Sequence, residues 1–306
     1  MTDEEHVLVA VVAHNSADVL PGLLASLPEG MAGVPWQTVV VDNASDDDSV
    51  DVVRRLAPEA RVVVTGRNGG YSAGINAAVD AGGPHTAVLV LNPDVRLDPG
   101  CVPRLLAALR EPGVGIAVPR LRDAGGVRID SLRREPTLTR AVADAVVGAE
   151  RAGRLGRLGE VVTDPEAYAA DTDTDWAEGS TQLISAECWT RVGAWDESYF
   201  LYSEEADFDL RARDAGLAVR YVPDAGAVHL EGGSAGSPRL WPLLVVNRVR
   251  LFRRRRGWLW AVPFWAVMVL REASRACLGR RTSRAALRAL LDPIRMREPA
   301  GPAWLR

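Results

Sequence analysis

The sequence predicts an α/β protein with a mostly parallel central sheet, closed by a helical, basic, amphipathic tail. Three features carry this expectation. Short β-branched runs, apolar nearly throughout, alternate with helical patterns in the first half, as expected where helices cover both faces of a sheet. A glycine-rich turn, Asn68 to Gly74, joins a strand to a helix. From Arg239 onward 16 arginines face only Glu272, Asp292 and Glu298, a balance of +13 in a chain whose net charge is −4.

In order, Val7 to Ala13 reads as a strand, and Ser16 is expected to cap a helix reaching Leu27. Gln37 to Val41 is the next strand, followed by a helix from Ser49 to Leu56 and a strand from Arg61 to Thr65. The glycine-rich turn opens a helix ending at Ala81. Ala87 to Leu91 supplies another strand before a helix from Pro99 to Arg110. Residues Arg122 to Asp175, rich in Arg, Gly and Asp, read as a mobile segment or loop insertion with one helix near Thr139 to Ala149. Regular structure returns at Trp176, with a helix near Ser203 to Ala215 and strands at Ala218 to Val222 and Ala225 to His229. The expected division is a catalytic domain, 1–238, and an Arg-rich helical tail, 239–306.

Composition removes several classes. At 47% hydrophobic and 25% charged over 306 residues, disorder is not expected. Cys101, Cys188 and Cys277 are odd in number and far apart, so neither a disulfide framework nor a cysteine-built zinc site is indicated. The acidic N-terminus has no basic and apolar leader pattern, which points to a cytoplasmic protein. All basic residues are arginine, and the acidic remainder of −17 repels phosphates, which disfavours nucleic acid as the tail's partner. The apolar run Trp258 to Leu270 falls short of the roughly 20 residues of a spanning helix. Flanked by arginines and carrying Trp258, Trp260 and Trp265, it reads as a helix lying on an anionic membrane, peripheral on the inner face. Packing on the catalytic domain or on a dimer partner is the alternative.

The candidate chemistry sits at strand ends. Val39 to Ser45 places Asp42 at the carboxyl edge of the sheet, where open α/β folds bind ligands; Asp, Asn and Ser there also suit a helix cap. His14-Asn-Ser-Ala-Asp18 stands where a dinucleotide fold needs GxGxxG, and Gly69 to Gly74 lacks the Gly-Lys-Ser/Thr of a P-loop. A dehydrogenase and an NTPase are therefore disfavoured. Leu91-Asn92-Pro93-Asp94 puts a hard carboxylate at the same edge, suited to Mg2+ or Mn2+ on a diphosphate, or simply to a turn. Trp195 to Arg211 crowds Glu204, Glu205, Asp207 and Asp209 at a helix start. That position favours acids electrostatically, and nearby aromatic residues can raise one carboxyl's proton affinity toward general-base work. His229 ends the last strand alone.

Together these segments resemble the family 2 glycosyltransferases of GT-A fold, in particular the bacterial rhamnosyltransferase-like branch. The resemblance spans Val7 to Ser234. It rests on Val12-Ala-His-Asn15, Val41-Asp42-Asn43-Ala-Ser45, Asn68-Gly-Gly-Tyr-Ser-Ala-Gly74-Ile-Asn76, Leu91 to Asp94, and Trp195 through His229-Leu-Glu-Gly-Gly-Ser234, each weak and strong only in their order. It implies that Ala13, His14, Asn15, Asp42 and Asn43 face the nucleoside of a sugar donor. Asn68, Gly74 and Asn76 are implied nearer the donor sugar and diphosphate, with Asn92 and Asp94 at the DxD-type position. Asp94 and His229 are implied as ligands of a divalent cation, Mg2+ or Mn2+, and Glu205 as catalytic base. Aspartate is commoner at that base position, so Glu204 and Asp207 stay as alternatives. Trp176, Glu178 and Gly179 match the acceptor-side loop.

The implied activity is inverting transfer from a nucleotide sugar, dTDP-rhamnose or alternatively a UDP-linked galactofuranose or N-acetylglucosamine, to a glycan or lipid-linked acceptor in cell-envelope assembly. A non-catalytic nucleotide-sugar-binding or membrane-scaffolding protein is the alternative of a different class.

Overall fold

The computed structural model describes residues 5–230, 237–297, 301 and 304. The Glu231 to Ser234 end of the last motif lies outside the described residues. The chain order is β1 (Val7–Ala13), α1 (Leu20–Met31), β2 (Trp36–Asp42), α2 (Ser49–Leu56), β3 (Arg61–Val64), α3 (Tyr71–Ala81), β4 (Ala87–Leu91), β5 (Val95–Leu97), α4 (Cys101–Leu109) and β6 (Val114–Arg122). Then come β7 (Leu132–Arg133), α5 (Leu138–Val147), α6 (Ala149–Arg154), β8 (Thr172–Thr174), β9 (Trp176–Ala177), β10 (Thr181–Ser185), α7 (Ala186–Val192), α8 (Glu204–Asp214) and β11 (Ala218–His229). The tail is α9 (Leu240–Cys277), α10 (Arg281–Leu291) and α11 (Pro293–Arg297).

The main sheet runs β3-β2-β1-β4-β10-β6-β11-β5, with β8 on β11. Its first four strands are parallel, as their two-sided burial requires: β1 and β4 are buried at every residue. Beyond them the sheet is mixed, because β10 runs antiparallel to both β4 and β6. That reversal matters for function. It brings the start of β10, preceded by Glu178 and Gly179, to the edge where β1, β2 and β4 end; Thr181 pairs with Leu91, and Ala13 with Asp42.

Several local expectations are revised. Ser16 does not cap α1; its carbonyl accepts from Val19 and Leu20 in a preceding turn, and α1 starts at Leu20. Residues 218–229 form one strand, irregular between Val222 and Gly226, not two. The Arg122 to Asp175 region is no loose insertion: β7 pairs with β9, β8 pairs with β11, and Ala141 of α5 is buried against α9. Some of its arginines are engaged locally, Arg128 with Asp130 at 2.8 Å and over the Tyr168 ring, and Arg140 with the Glu135 carbonyl.

The tail packs on the body. Val245, Val246, Val249, Phe252, Phe264 and Met268 of α9 are buried with Ala141 and with Ala286, Ala289 and Leu290 of α10. Gly257, at φ 77°, breaks α9 into two helices. Among the described residues, no helix is long and apolar enough to cross a membrane.

Candidate active site

Topology brings the two halves of the site together. β5 follows Asn92-Pro93-Asp94 and pairs antiparallel with the end of β11, so Val95 lies opposite His229. His229 Nε2 consequently sits 3.3 Å from Asp94 Oδ1, and its Nδ1 sits 2.9 Å from Glu178 Oε1, delivered by the reversed β10. Burial disfavours a charged imidazole, but the hydrogen bonds with Asp94 and Glu178 outweigh it and raise His229 to about 10. Glu178 as the histidine's partner is not evident from sequence spacing, since it depends on the direction of β10.

Asp94, Glu178 and His229 line a cavity of about 620 Å3 with Tyr71, Asn92, Trp176, Gly179, Glu204 and Glu205. Asn92 is fixed by its N–H to the Ser180 carbonyl at 2.9 Å. Glu204 and Glu205 open α8 from a turn in which Tyr202 (φ 68°) and Ser203 (φ 76°) are both left-handed, a costly conformation for non-glycine residues. Asn247 of α9, fully buried, holds that turn by donating from Nδ2 to the carbonyls of Leu201 (2.9 Å) and Tyr202 (3.1 Å).

Burial is the first cause of proton affinity here. It raises Glu205 to about 7, helped by the charge of Glu178 and opposed by backbone hydrogen bonds and Arg133. Glu204 is raised well above the ordinary carboxyl range by burial and by adjacent Glu205. The Tyr71 phenol is likewise pushed up by burial and by the surrounding acids, so it stays protonated. Glu204 Oε2, Glu205 Oε2 and the Tyr71 hydroxyl are buried without a hydrogen-bond partner. Unpaired buried polar atoms are costly, and three in one cavity mark a place shaped for a polar ligand.

Asp207 does not line this cavity; its carboxylate accepts from Arg211 Nε at 2.7 Å, one turn along α8. Asp209, named among the crowded acids but given no role by the sequence, is fully buried and accepts from Ala177 N (2.9 Å) and Gln182 Nε2 (3.1 Å), clamping α8 to the Trp176–Gly179 segment and β10. Gly179 lies against Glu205: a Cβ there would stand 2.8 Å from Glu205 Cβ. Trp176 both lines the cavity and donates from Nε1 to the Arg134 carbonyl.

The other predicted residues form a second group around Asp42. One strand, β1, separates the ends of β2 and β4, so they stand two inter-strand spacings, about 10 Å, apart. Asp42 is buried and its Oδ1 has no hydrogen-bond partner, whereas Oδ2 accepts from Ser45 N at 3.3 Å. Asn43 and Asn68 latch the glycine-rich turn: Asn43 donates to Asn68 Oδ1 and the Gly70 carbonyl and accepts from Gly69 N. His14 and Asn15 are exposed; Nδ1 of His14 lies 3.1 Å from the Asn43 carbonyl, and Asn15 Oδ1 accepts from Asp46 N. Ala13 is buried at the end of β1.

Gly74 and Asn76 do structural work at a distance from the cavity. A Cβ on Gly74 would meet Val12 Cγ1 at 2.5 Å, so glycine lets α3 lie on β1. Asn76 Nδ2 donates to the Trp195 carbonyl (2.9 Å) and Glu197 (3.0 Å), and its Oδ1 accepts from Trp195 N (3.0 Å). That amide fastens the segment leading into α8.

Among the described residues no three His, Cys, Asp or Glu side chains converge as a closed metal cage. Asp94 and His229 nonetheless face one another across 3.3 Å, and one carboxylate and one imidazole are the incomplete donor set expected where a diphosphate supplies further oxygens.

Comparison with known proteins fits this geometry. Residues 8–148 match the family model described as Glycosyl transferase family 2. The chain is 31% identical over 276 residues to the N-acetylglucosaminyl-diphospho-decaprenol L-rhamnosyltransferase of Mycobacterium tuberculosis, covering 83% of this chain and 86% of that protein. In fold it is similar to GalNAc-T7 crystallised with UDP, GalNAc and Mn2+ (TM-score 0.57, 14% identity, 81% of this chain); the match spans only 47% of that chain. It is also similar to the mannosyltransferase PcManGT from Pyrobaculum calidifontis with GDP-Man and Mn2+ (TM-score 0.54, 17% identity, 93% of this chain and 74% of that chain). With a GT-A-type sheet, an acid-lined cleft at its carboxyl edge and this level of identity to a rhamnosyltransferase, the chain belongs to glycosyl transferase family 2.

Proposed function

We propose that this glycosyltransferase moves a rhamnosyl group from dTDP-rhamnose, with inversion, onto a lipid-linked N-acetylglucosaminyl diphosphate at an anionic membrane surface. The observation that carries the reading is the meeting of Glu205 with the Asp94–His229 pair in one cavity. The similarity to the mycobacterial rhamnosyltransferase supports the choice of donor and acceptor. The buried, unpaired Asp42 carboxylate oxygen suits a base N–H or ribose hydroxyl of the nucleoside.

The chemistry follows from the side chains. Glu205, raised to about 7, is half ionised near neutral pH, where a general base combines the deprotonated form with useful proton affinity. It takes the proton of the acceptor hydroxyl as that oxygen attacks the anomeric carbon, and the nucleoside diphosphate departs from the opposite face. Glu204, its proton affinity raised well above the ordinary carboxyl range first by burial and then by Glu205, does not compete for that proton, and its unpaired Oε2 is free to bond a ligand. Asp94 and His229 would hold a divalent cation, Mg2+ or Mn2+, which when bound would supply Lewis-acid stabilisation of charge on the leaving diphosphate.

The test is Glu205→Gln assayed with dTDP-rhamnose and a short-chain prenyl diphosphate N-acetylglucosamine. Loss of general-base catalysis costs about 10²–10⁴ in kcat, while donor binding by thermal shift stays intact. A variant retaining more than a tenth of wild-type kcat removes Glu205 from the role.

A further inference from the structure

The internal ion pairs of the tail single out one surface. Arg248 pairs with Asp144 and Glu160, Arg254 with Asp196, Arg255 with Glu135 and Asp214, Arg256 with Glu135, and Arg271 with Asp144 and Glu272. Arg253, Arg280, Arg281, Arg284 and Arg288 are exposed and pair with no carboxylate among the described residues. Arg281, Arg284 and Arg288 recur at helical spacing on α10, which packs beside α9, so they form one outward stripe.

On α9, against which α10 packs, lies an apolar face that no other described residue covers. All 13 residues from Trp258 to Leu270 are apolar, yet only one side of that helix is packed, through Ala261, Phe264 and Met268. On the other side Trp258 is 68% exposed, Leu259 77%, Val262 45% and Leu270 68%, and Trp260 is 60% exposed at the break. A helix apolar on all faces is normally enclosed by apolar surroundings. Thirteen residues extend about 20 Å, short of the roughly 30 Å hydrocarbon layer, so the segment lies along a bilayer instead of crossing it. A small groove of about 140 Å3 opens on the same face between Trp258, Val262, Trp265 and Met296, with Arg253 at its rim.

We propose that this face, the helix after Gly257 together with the α10 arginine stripe, seats in the headgroup layer of an anionic bilayer. Tryptophan and leucine enter the acyl boundary while the arginines meet lipid phosphates. A second copy of the chain fits less well, because a two-fold contact through this face opposes arginine to arginine. The inference deepens the lipid-linked-acceptor reading and rests on it for its purpose. Leu244, Arg248 and Leu251 of the same α9 line the cavity, and only six residues, ending at the Gly257 break, lie between Leu251 and Trp258. A helix lying in the interface thus holds the cavity within reach of a headgroup.

The experiment is co-sedimentation of the intact protein with vesicles of phosphatidylcholine alone and of equimolar phosphatidylcholine and phosphatidylglycerol, without donor or acceptor. Binding to the anionic vesicles only, weakened by salt and accompanied by a blue shift of tryptophan emission, is the expected result. Combined Arg281→Gln, Arg284→Gln and Arg288→Gln should lower partitioning about a hundredfold at low salt. Combined Trp258→Ala, Leu259→Ala and Trp260→Ala should remove the emission shift, with circular dichroism and turnover of a water-soluble acceptor unchanged. Protein remaining in the supernatant with anionic vesicles overturns the proposal. So does a Trp258/Leu259/Trp260 variant that binds as before but changes from dimer to monomer. Because no substrate is present, this failure is separable from failure of the acceptor assignment, which the soluble-acceptor turnover reads.

Discussion

Replacing Asn247 by alanine tests whether the tail helix shapes the catalytic turn. The side chain is fully buried and donates to two carbonyls, those of Leu201 and Tyr202, while accepting from Arg250. Leaving two buried carbonyls unpaired costs about 1–3 kcal/mol each. The left-handed Tyr202 and Ser203 store about 1–3 kcal/mol apiece, so the turn has reason to relax once its tether is gone. We expect a stability loss of about 2–4 kcal/mol by denaturant titration, because relaxation recovers part of the penalty. The distinguishing measurement is kcat against pH in the folded range. In the proposed base role Glu205 acts in its ionised form, so activity is expected to rise as pH climbs through its value of about 7. Burial is what raises that value, and a relaxed turn admits water and lowers it. The ascending limb of Asn247→Ala should therefore move to lower pH while maximal kcat falls at least about tenfold, since displacing a catalytic group by even 1 Å carries costs of that order or more. An unshifted limb, with activity reduced only by the unfolded fraction, refutes the reasoning.

Gly179→Ala places a methyl 2.8 Å from Glu205 Cβ; kcat should fall about tenfold or more with little change in Tm, read by steady-state kinetics beside a thermal melt. Asn76→Ala removes three hydrogen bonds around Trp195 and should destabilise by about 2–4 kcal/mol in urea, whether or not donor is present. Glu135→Gln should weaken the clamp formed by Arg213, Arg255 and Arg256 by about 2–3 kcal/mol, less than a fully enclosed pair because Arg213 and Arg256 are 33% and 46% exposed. Burial opposes the Glu135 charge, but hydrogen bonds from Arg213 and Arg255 outweigh it and hold the group below its ordinary 4.5. Its stabilisation is therefore present above pH 4.5 and lost as pH falls through the lowered folded value. The wild-type advantage over the variant should shrink on acidification below pH 4.5 in parallel melts.

The parallel half of the fold was legible because β1, β2 and β4 bury both faces and read as continuous apolar runs. β10 was not, because Thr181 and Gln182 are polar yet buried, and the Gln182 amide donates to the Ala177 carbonyl and to Asp209, the latter 27 residues along the chain. The Arg122 to Asp175 region looked loose for a related reason: side chains that sequence presents as solvated are consumed by local ion pairs and carbonyls. In the site, acids at strand and helix ends announced themselves, so Asp94, Glu204, Glu205 and His229 were all singled out. Their partners were hidden wherever they depend on strand direction. Glu178 reaches His229 only because β10 is reversed, and Tyr71 reaches the acids only through its place at the start of α3. Asn247 carries a weak signal in retrospect, a lone amide within Leu243-Leu-Val-Val246 and the arginines that follow.

The charge asymmetry between body and tail is used first within the chain. Arg248, Arg254 and Arg255 of one helix engage Asp144, Glu160, Asp196, Glu135 and Asp214, acids carried on separate elements of the body. Such pairs add little net energy, because desolvating each charge offsets most of the attraction. What they specify is register. The apolar contacts of Val245, Val249 and Phe252 tolerate sliding by a fraction of a turn, whereas several arginines reaching fixed acids admit one setting of the helix. A shift of one residue would rotate α9 by about 100° and carry Asn247 away from the Leu201–Tyr202 carbonyls. A chain divided at residue 238 thus separates two stretches of sequence that share one cavity, since the tail's side of it, Leu244, Arg248 and Leu251, stands where those acids put it.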